Sequence, residues 1–259
     1  MTVLIIAASK SDVEVMKKCE AALEKNKIRC EMRVCSAHRT PEMLDKMLED
    51  KAYDLIIAAA GLAAALPGVV AAKTPAPVIG VPLAGAFEGL DALLSIIQMP
   101  PGIPVLATGV NNSEEAAEAA AKITSSKANR VNLISAKNKS QKAMDKAVET
   151  LKQLGVLYSC SDKIRSDAIN ICFVDINEGK IPESDALTIY CPTAEKEAAA
   201  DAIKLLQLTK EGTWVGLNRG ENAAVAAAEI MKMKDKLTEY RWDMKRKIEE
   251  ADREASKQC

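Results

Sequence analysis

Apolar positions along this chain follow two alternating rhythms. Val3 to Ala8 is an unbroken apolar run, the pattern of a strand covered on both faces. Ser11-Asp12-Val13-Glu14 has the form of a capping box and opens a helix that keeps helical spacing through Leu23 and ends near Asn26. Arg29 to Cys35 alternates, with Cys30, Met32 and Val34 on one side, a strand by period. Thr40-Pro41 marks a second helix start. Asp54 to Ala60 reads as a strand, followed by a Gly turn and an Ala-rich helix. Val78 to Val81, a helix about Leu90 to Ile97, a strand from Val105 to Gly109 and a helix from Ser113 to Ile123 complete the series. Five β-α units in succession predict an open parallel sheet with helices on both faces.

Thr124 to Arg130 is polar and reads as a linker, after which the pattern restarts. Val131-Asn132-Leu133-Ile134 repeats Val3-Leu4-Ile5-Ile6, and Met144, Leu151 and Val156 keep register with Met16, Leu23 and Ile28. Ile189 to Pro192 echoes Ile79 to Pro82. Gly216-Leu217-Asn218, Glu221 and Ala223-Ala224 answer Gly109-Val110-Asn111, Glu114 and Ala116-Ala117. The spacing between copies shrinks by about twenty residues along the way, the mark of a duplication whose second copy has lost part of its middle. Two unrelated β-α domains are the alternative. The boundaries are 1–124 and 131–231, followed by a charged helix over 232–259 whose narrow stripe of Leu237, Tyr240, Met244 and Ile248 is better suited to docking against a neighbouring subunit than to light packing on its own domain.

Composition removes more chemistry than it adds. The chain has 259 residues, 35 Lys+Arg against 36 Asp+Glu, seven Cys and one His. The near-zero charge gives no electrostatic reason to expect nucleic acid or an anionic membrane. One histidine excludes multi-His metal sites, and the absence of any Cys-x-x-Cys pair speaks against structural zinc. Aromatic residues at 3% argue against base-stacking platforms and flavin sandwiches. An odd number of cysteines and no secretory leader at Met1 predict reduced thiols and a cytoplasmic protein. Leu55 to Ala72 carries no charge over a length that raises a membrane helix, but its alanines, Gly61 and Pro67-Gly68 fit strand, turn and helix better.

In open α/β sheets ligands sit beyond the carboxyl ends of the strands. Three loops of the first copy are placed there. Ala8-Ser9-Lys10-Ser11-Asp12 offers hydroxyls and amides suited to a phosphate and a carboxylate suited to sugar hydroxyls, although Ser11 and Asp12 also serve as plain caps. Cys35-Ser36-Ala37-His38-Arg39-Thr40-Pro41 sets the only histidine beside an arginine able to grip phosphate bidentately, with Ser36 as a further donor and a neutral imidazole able to move a proton at pH 7. Cys35 reads as a buried strand residue. Ala60 to Gly68 is small enough for close backbone approach to a flat ligand, or for tight packing of an Ala-rich helix.

Ser9-Lys10-Ser11-Asp12, Ser36-Ala37-His38-Arg39-Thr40-Pro41, Ala64-Ala65-Leu66-Pro67-Gly68, Pro77 to Pro82, and Gly89-Leu90-Asp91 through Leu94-Ser95-Ile96-Ile97-Gln98-Met99-Pro100 together resemble the PurE family of purine biosynthesis over residues 1–125. The resemblance implies a flavodoxin-like three-layer αβα sandwich, here duplicated and extended by the C-terminal helix. It implies an enzyme acting on an aminoimidazole ribonucleotide. CO2 leaves the exocyclic nitrogen of N5-carboxyaminoimidazole ribonucleotide and is recaptured at C4, and His38 shuttles the proton leaving C4. Ser9, Ser11, Asp12, Ser36 and Arg39 would bind the ribose phosphate, and main chain around Gly61, Ala63 and Leu66 would enclose base and CO2. No metal, biotin, nucleotide or flavin cofactor is implied. The second copy, with Ser166 and Asp167 where His38 and Arg39 stand, should not catalyse.

The family usually has glycine where Ala8 and Leu62 stand, and the bacterial mutase pattern has histidine at Ala65. A sister class that carboxylates aminoimidazole ribonucleotide directly with CO2 also lacks that histidine, but has lysine at the position of Arg39 and lacks Gln-Met-Pro. The retained strings favour the mutase; Ala65 favours direct carboxylation. A non-enzymatic nucleotide-binding or scaffold subunit is the reading from another class. The family's octameric habit implies a homo-oligomer, four duplicated chains making a pseudo-octamer.

Overall fold

A computed structural model describes residues 1–49, 52–135, 141–179, 181–182 and 184–256. The first half alternates β1 (Thr2–Ala7), α1 (Val13–Lys25), β2 (Arg29–Val34), α2 (Pro41–Glu49), β3 (Leu55–Ala60), α3 (Ala65–Lys73), β4 (Val78–Pro82), α4 (Leu90–Ile97), β5 (Leu106–Ala107) and α5 (Ser113–Ser125). The uncharged stretch from Leu55 to Ala72 is thus β3, a turn and α3. Among the described residues no helix is long and apolar enough to cross a membrane.

The second half continues with β6 (Arg130–Ser135), α6 (Gln141–Leu154), β7 (Leu157–Ser161), β8 (Ile169–Asp175), β9 (Thr188–Thr193), α7 (Asp201–Leu208), β10 (Thr213–Trp214), α8 (Gly220–Ile230) and α9 (Lys234–Ser256). Helix α5 runs through Ser125 and β6 starts at Arg130, so the linker is shorter than its composition suggests, residues 126–129. The last three residues of the expected tail helix lie outside the described residues.

Among the described residues ten strands join one sheet in the order β2-β1-β3-β4-β5-β10-β9-β8-β6-β7. The first five have the 2-1-3-4-5 order of flavodoxin-like sheets, and the second five repeat it read inward from the other edge. Pairing is parallel within each half, and the halves meet antiparallel at Trp214 against Ala107. Helices α1, α5, α6 and α8 share one face and α2, α3, α4 and α7 the other, giving three layers. Alternate residues of β1 feed the two cores, Val3 and Ile5 into one, Leu4 and Ile6 into the other. That two-sided demand is why the strand is a continuous apolar run.

Among the described residues the second half has no helix between β7 and β8 or between β8 and β9. Residues 162–168 connect β7 to β8 where 35–54, containing α2, connect β2 to β3, and 176–187 replace the α3 connection. On the sheet face that α2 and α3 cover in the first half, Ile134, Cys172 and Val174 stay apolar, but toward the strand starts buried asparagines take over, and the short 162–168 connection folds over them. The buried Asn132 amide donates to Lys163 O at 2.9 Å and to Asn170 Oδ1 at 3.0 Å. Asn170, also buried, donates to Arg165 O at 2.8 Å and Leu187 O at 3.1 Å, and its oxygen accepts from Arg165 N at 2.9 Å. Asn170→Leu strands those backbone groups in a dry site, and is expected to lower unfolding free energy by about 2 kcal/mol in urea titration. A change below about 0.5 kcal/mol would show that the connection is not held this way.

Helix α9 packs its first turns on its own chain. Leu237 is buried, and Tyr240 and Met244 close over Gly102, which has no room for a Cβ beneath them. Ile248, the last member of the stripe, is 73% exposed. Intramolecular packing accounts for the stripe up to Met244.

Candidate active site

Because β1 to β5 are parallel, the loops that follow them share one edge of the first half. After β1, Ala8 N still donates to Ala59 O at 3.0 Å, and Ser9 is extended at φ −151°. A 3-10 turn over Lys10–Asp12 then leads into α1. The capping box expected at Ser11 does not form: α1 starts at Val13 with no side-chain cap, because the 3-10 turn carries Ser11 outside the helix. Its hydroxyl instead lies 2.7 Å from Ser9 Oγ and donates to Asp12 Oδ1 at 3.3 Å. Ser9, Ser11 and Asp12 are therefore one polar cluster at the end of β1.

The loop after β2 closes on itself. Thr40 Oγ1 accepts from Ser36 N at 3.1 Å and donates to Ser36 O at 3.2 Å, while Thr40 N donates to Ser36 O at 2.9 Å. Ser36 Oγ accepts from Arg39 N at 3.3 Å and from Arg39 Nε at 3.4 Å. Arg39 Nη2 reaches across to Ala8 O at 3.3 Å, so the guanidinium spans the two loops beside the Ser9–Asp12 cluster. His38 stands exposed at the apex of the turn, with no hydrogen bond to any described residue. Cys35 is buried as expected but lies one residue past the end of β2, its N–H still donating to Ala7 O at 2.9 Å and its thiol directed to Thr40 O at 3.6 Å.

The loop after β3 brings main chain to the same edge. A Cβ on Gly61 would lie 3.4 Å from Leu83 O, and Leu83 N donates to Ala60 O at 3.0 Å, so β3 and β4 exit side by side. Leu62 and Ala63 take φ of 28° and 47°, a left-handed path that costs any residue with a Cβ. Leu66 is buried in the first turn of α3, with Ala65 half-buried ahead of it. Ala64 supplies no side-chain cap, which leaves the first N–H groups of α3 available to a ligand oxygen.

A residue that sequence reasoning passed over completes the edge. Asn111, left-handed at φ 59°, accepts from Ala84 N at 2.9 Å and donates its own N–H to Pro82 O at 2.8 Å, tying the loop after β4 to the end of β5. The signal was available: Asn is the non-glycine residue most at ease in that conformation, and Val110-Asn111 follows a strand.

The structure places one motif string and changes one sequence expectation. Gln98-Met99-Pro100 precedes β5, so it lies at the strand-start edge, opposite His38. There Gln98 Oε1 accepts from Leu217 N at 3.0 Å, and the Asn222 amide donates to Met99 O at 3.3 Å and Pro100 O at 3.0 Å. Ser166 and Asp167 do not stand where His38 and Arg39 do. With no helix to enter, their connection runs back along the sheet face, and they line a depression with residues 125–128 and 185–187, at the strand starts of the second half. Asp167 there pairs with Arg165 through two 2.9 Å bonds. Among the described residues no three His, Cys, Asp or Glu side chains converge as a metal site.

The family model described as AIR carboxylase matches residues 2–146. An N5-carboxyaminoimidazole ribonucleotide mutase of Methanocaldococcus jannaschii is 42% identical over 154 residues, covering 59% of this chain and 98% of that protein. The mutase of Pyrococcus abyssi is 51% identical over 127 residues, 48% of this chain and 73% of its own. The chloroplastic phosphoribosylaminoimidazole carboxylase of Vigna aconitifolia is 48% identical over 115 residues, 43% of this chain and 21% of that longer protein. The family match takes in the Ser9–Asp12 cluster, the His38-Arg39 turn and the Gly61 loop, and the chain belongs to the AIR carboxylase family.

Proposed function

We propose that the first half converts N5-carboxyaminoimidazole ribonucleotide to 4-carboxy-5-aminoimidazole ribonucleotide. The observation that carries this reading is the bridge from Arg39 to Ser36 and Ala8, which joins a phosphate-sized group of donors to an uncommitted imidazole. Ser9, Ser11, Ser36 and Arg39 hold the phosphate and Asp12 the ribose. The ring then lies over β3, against the main chain of Gly61 and Ala63 and the N-terminus of α3.

In that pose the bond from the exocyclic nitrogen to the carboxyl carbon breaks, and its electron pair stays on nitrogen. The released CO2 is held by the enclosing loops until C4, electron-rich through the amino group, adds to it. The C4 proton passes to His38 Nδ1 or Nε2 and from there returns to the exocyclic nitrogen, so no group is gained or lost. Positioning, exclusion of water and one proton relay are what this site contributes.

Direct carboxylation of aminoimidazole ribonucleotide by CO2 uses the same C4 addition and the same transfer of the C4 proton to His38, which then gives it up to solvent instead of to the exocyclic nitrogen. Ala65, where the mutase pattern has histidine, is the observation that favours it. The purified protein separates the two when given each substrate: the mutase reading expects the N5-carboxylated compound to be converted without added bicarbonate. Arg39→Met should raise KM for either substrate by about tenfold or more with little change in kcat. A protein that converts neither compound is not the enzyme proposed. The second half, whose connections no longer build a His38-type turn, is a structural partner to the first.

A further inference from the structure

We propose that Lys210, carried by the second half of the chain, completes the first half's site as the cation that holds the carboxylate on the ligand's imidazole ring. This rests on the ribonucleotide reading above. The antiparallel junction sets the segment that precedes β10 against the loop that follows β5, on the same edge as His38. The approach is backbone on backbone: a Cβ on Gly109 would lie 2.9 Å from Thr209 O and 2.8 Å from Lys210 O, so only glycine fits there. Asn112 fixes the register, donating to Lys210 O at 3.0 Å while its side-chain oxygen caps α5 at Glu115 N, 3.1 Å.

With its backbone held in this way, Lys210 extends an exposed side chain that makes no ion pair with a described residue. It borders a crevice of about 710 Å3 with Glu88, Val110, Asn111 and Gln207. Glu88 is the one carboxylate on that wall. Without a cation opposite, the crevice would repel an anionic ring substituent. At the matching contact on the strand-start edge the first half offers Gln98, whose amide oxygen is already taken by Leu217 N. The two ends of the junction therefore differ, and the uncommitted charge is on the side of the intact site.

Distance favours the carboxylate over the phosphate as its target. The phosphate donors stand at the ends of β1 and β2, and the order β1-β3-β4-β5 puts three strand spacings, about 14 Å, between them and β5. A ligand anchored by its phosphate and lying along that edge presents its far end, the ring carboxylate, toward β4 and β5. Lysine's flexible stem carries a point charge across the remainder.

Calorimetric titration of 4-carboxy-5-aminoimidazole ribonucleotide and of uncarboxylated aminoimidazole ribonucleotide into the full chain tests this, with Lys210→Met, Lys210→Arg and the distant Lys196→Met as variants. Lys210→Met should weaken the carboxylated ligand about tenfold, leave the uncarboxylated one within about twofold, and be largely rescued by Lys210→Arg. Equal weakening of both ligands overturns the carboxylate assignment, since it would place Lys210 on the phosphate. No weakening of either, or the same loss with Lys196→Met, overturns the proposal. A parent chain that binds neither ligand refutes the ribonucleotide reading itself, an outcome distinct from a Lys210 variant that binds like the parent.

Discussion

His38→Asn is expected to lower kcat for carboxyl transfer to C4 by between about a hundredfold and ten-thousandfold, the usual worth of a positioned acid-base group. Asparagine keeps a polar side chain of similar reach but cannot accept and return a proton. The fold should not register the change. His38 is exposed at the apex of a turn that is closed by Ser36, Arg39 and Thr40, and no described residue depends on its imidazole. For the same reason KM should stay within about threefold, since the groups assigned to the phosphate are untouched. The informative readout is the C4 hydrogen: loss of tritium from C4 to solvent should fall with kcat. A variant that turns over within about threefold of the parent would remove His38 from the proton path and send the search to another group at the edge.

The first half was legible because burial writes itself into the sequence. Strands covered on both faces must be continuously apolar, and helices between two layers must keep a stripe, so Val3 to Ala7, Leu55 to Ala60 and the Met16–Leu23 face could be placed closely. The location of the His38 turn followed from the rule that such sheets bind at strand ends. The same rule, applied strictly, also places Gln98-Met99-Pro100 at the other edge, since the segment enters a strand instead of leaving one. Proximity in a motif string is not proximity in space. The junction of the halves was hidden for a different reason: β5 and β10 are two residues each, too short to carry a period, and their pairing has a single register pair, Trp214 against Ala107. Nor does any local pattern announce that Asn132 and Asn170 replace a helical layer. A single asparagine in an apolar run reads as an interruption until its partners, Lys163 and Arg165, are brought over it.

The contact that locks α9 across the halves should give stability a pH dependence of definite sign. Arg241, on α9, donates to Thr74 O of the first half at 2.6 Å and to Glu229 Oε1 of α8 at 2.8 Å. Glu229 is 2% exposed, and burial pushes its carboxyl up to about 8, with the charge and hydrogen bond of Arg241 pulling the other way. A carboxyl whose value is raised on folding binds its proton more tightly in the folded state. Its contribution is complete below its ordinary value of 4.5 and is lost as pH rises through about 8. Arg241→Met removes the only influence that lowers the value, so the loss deepens and extends to higher pH. Urea unfolding of the variant should sit close to the parent at pH 5, where Glu229 is neutral in both folded proteins, short of the lost bond to Thr74. At pH 9 the gap should widen by about 1 kcal/mol, because the variant keeps Glu229 protonated at a pH where the parent, with its value near 8, has released the proton and pairs with Arg241. Adding Glu229→Gln to Arg241→Met should flatten the profile, because an amide has no proton to lose. A gap of the same size at both pH values would mean that Arg241 acts only through its bond to Thr74 and its packing, and that the Glu229 carboxylate is not what α9 neutralises.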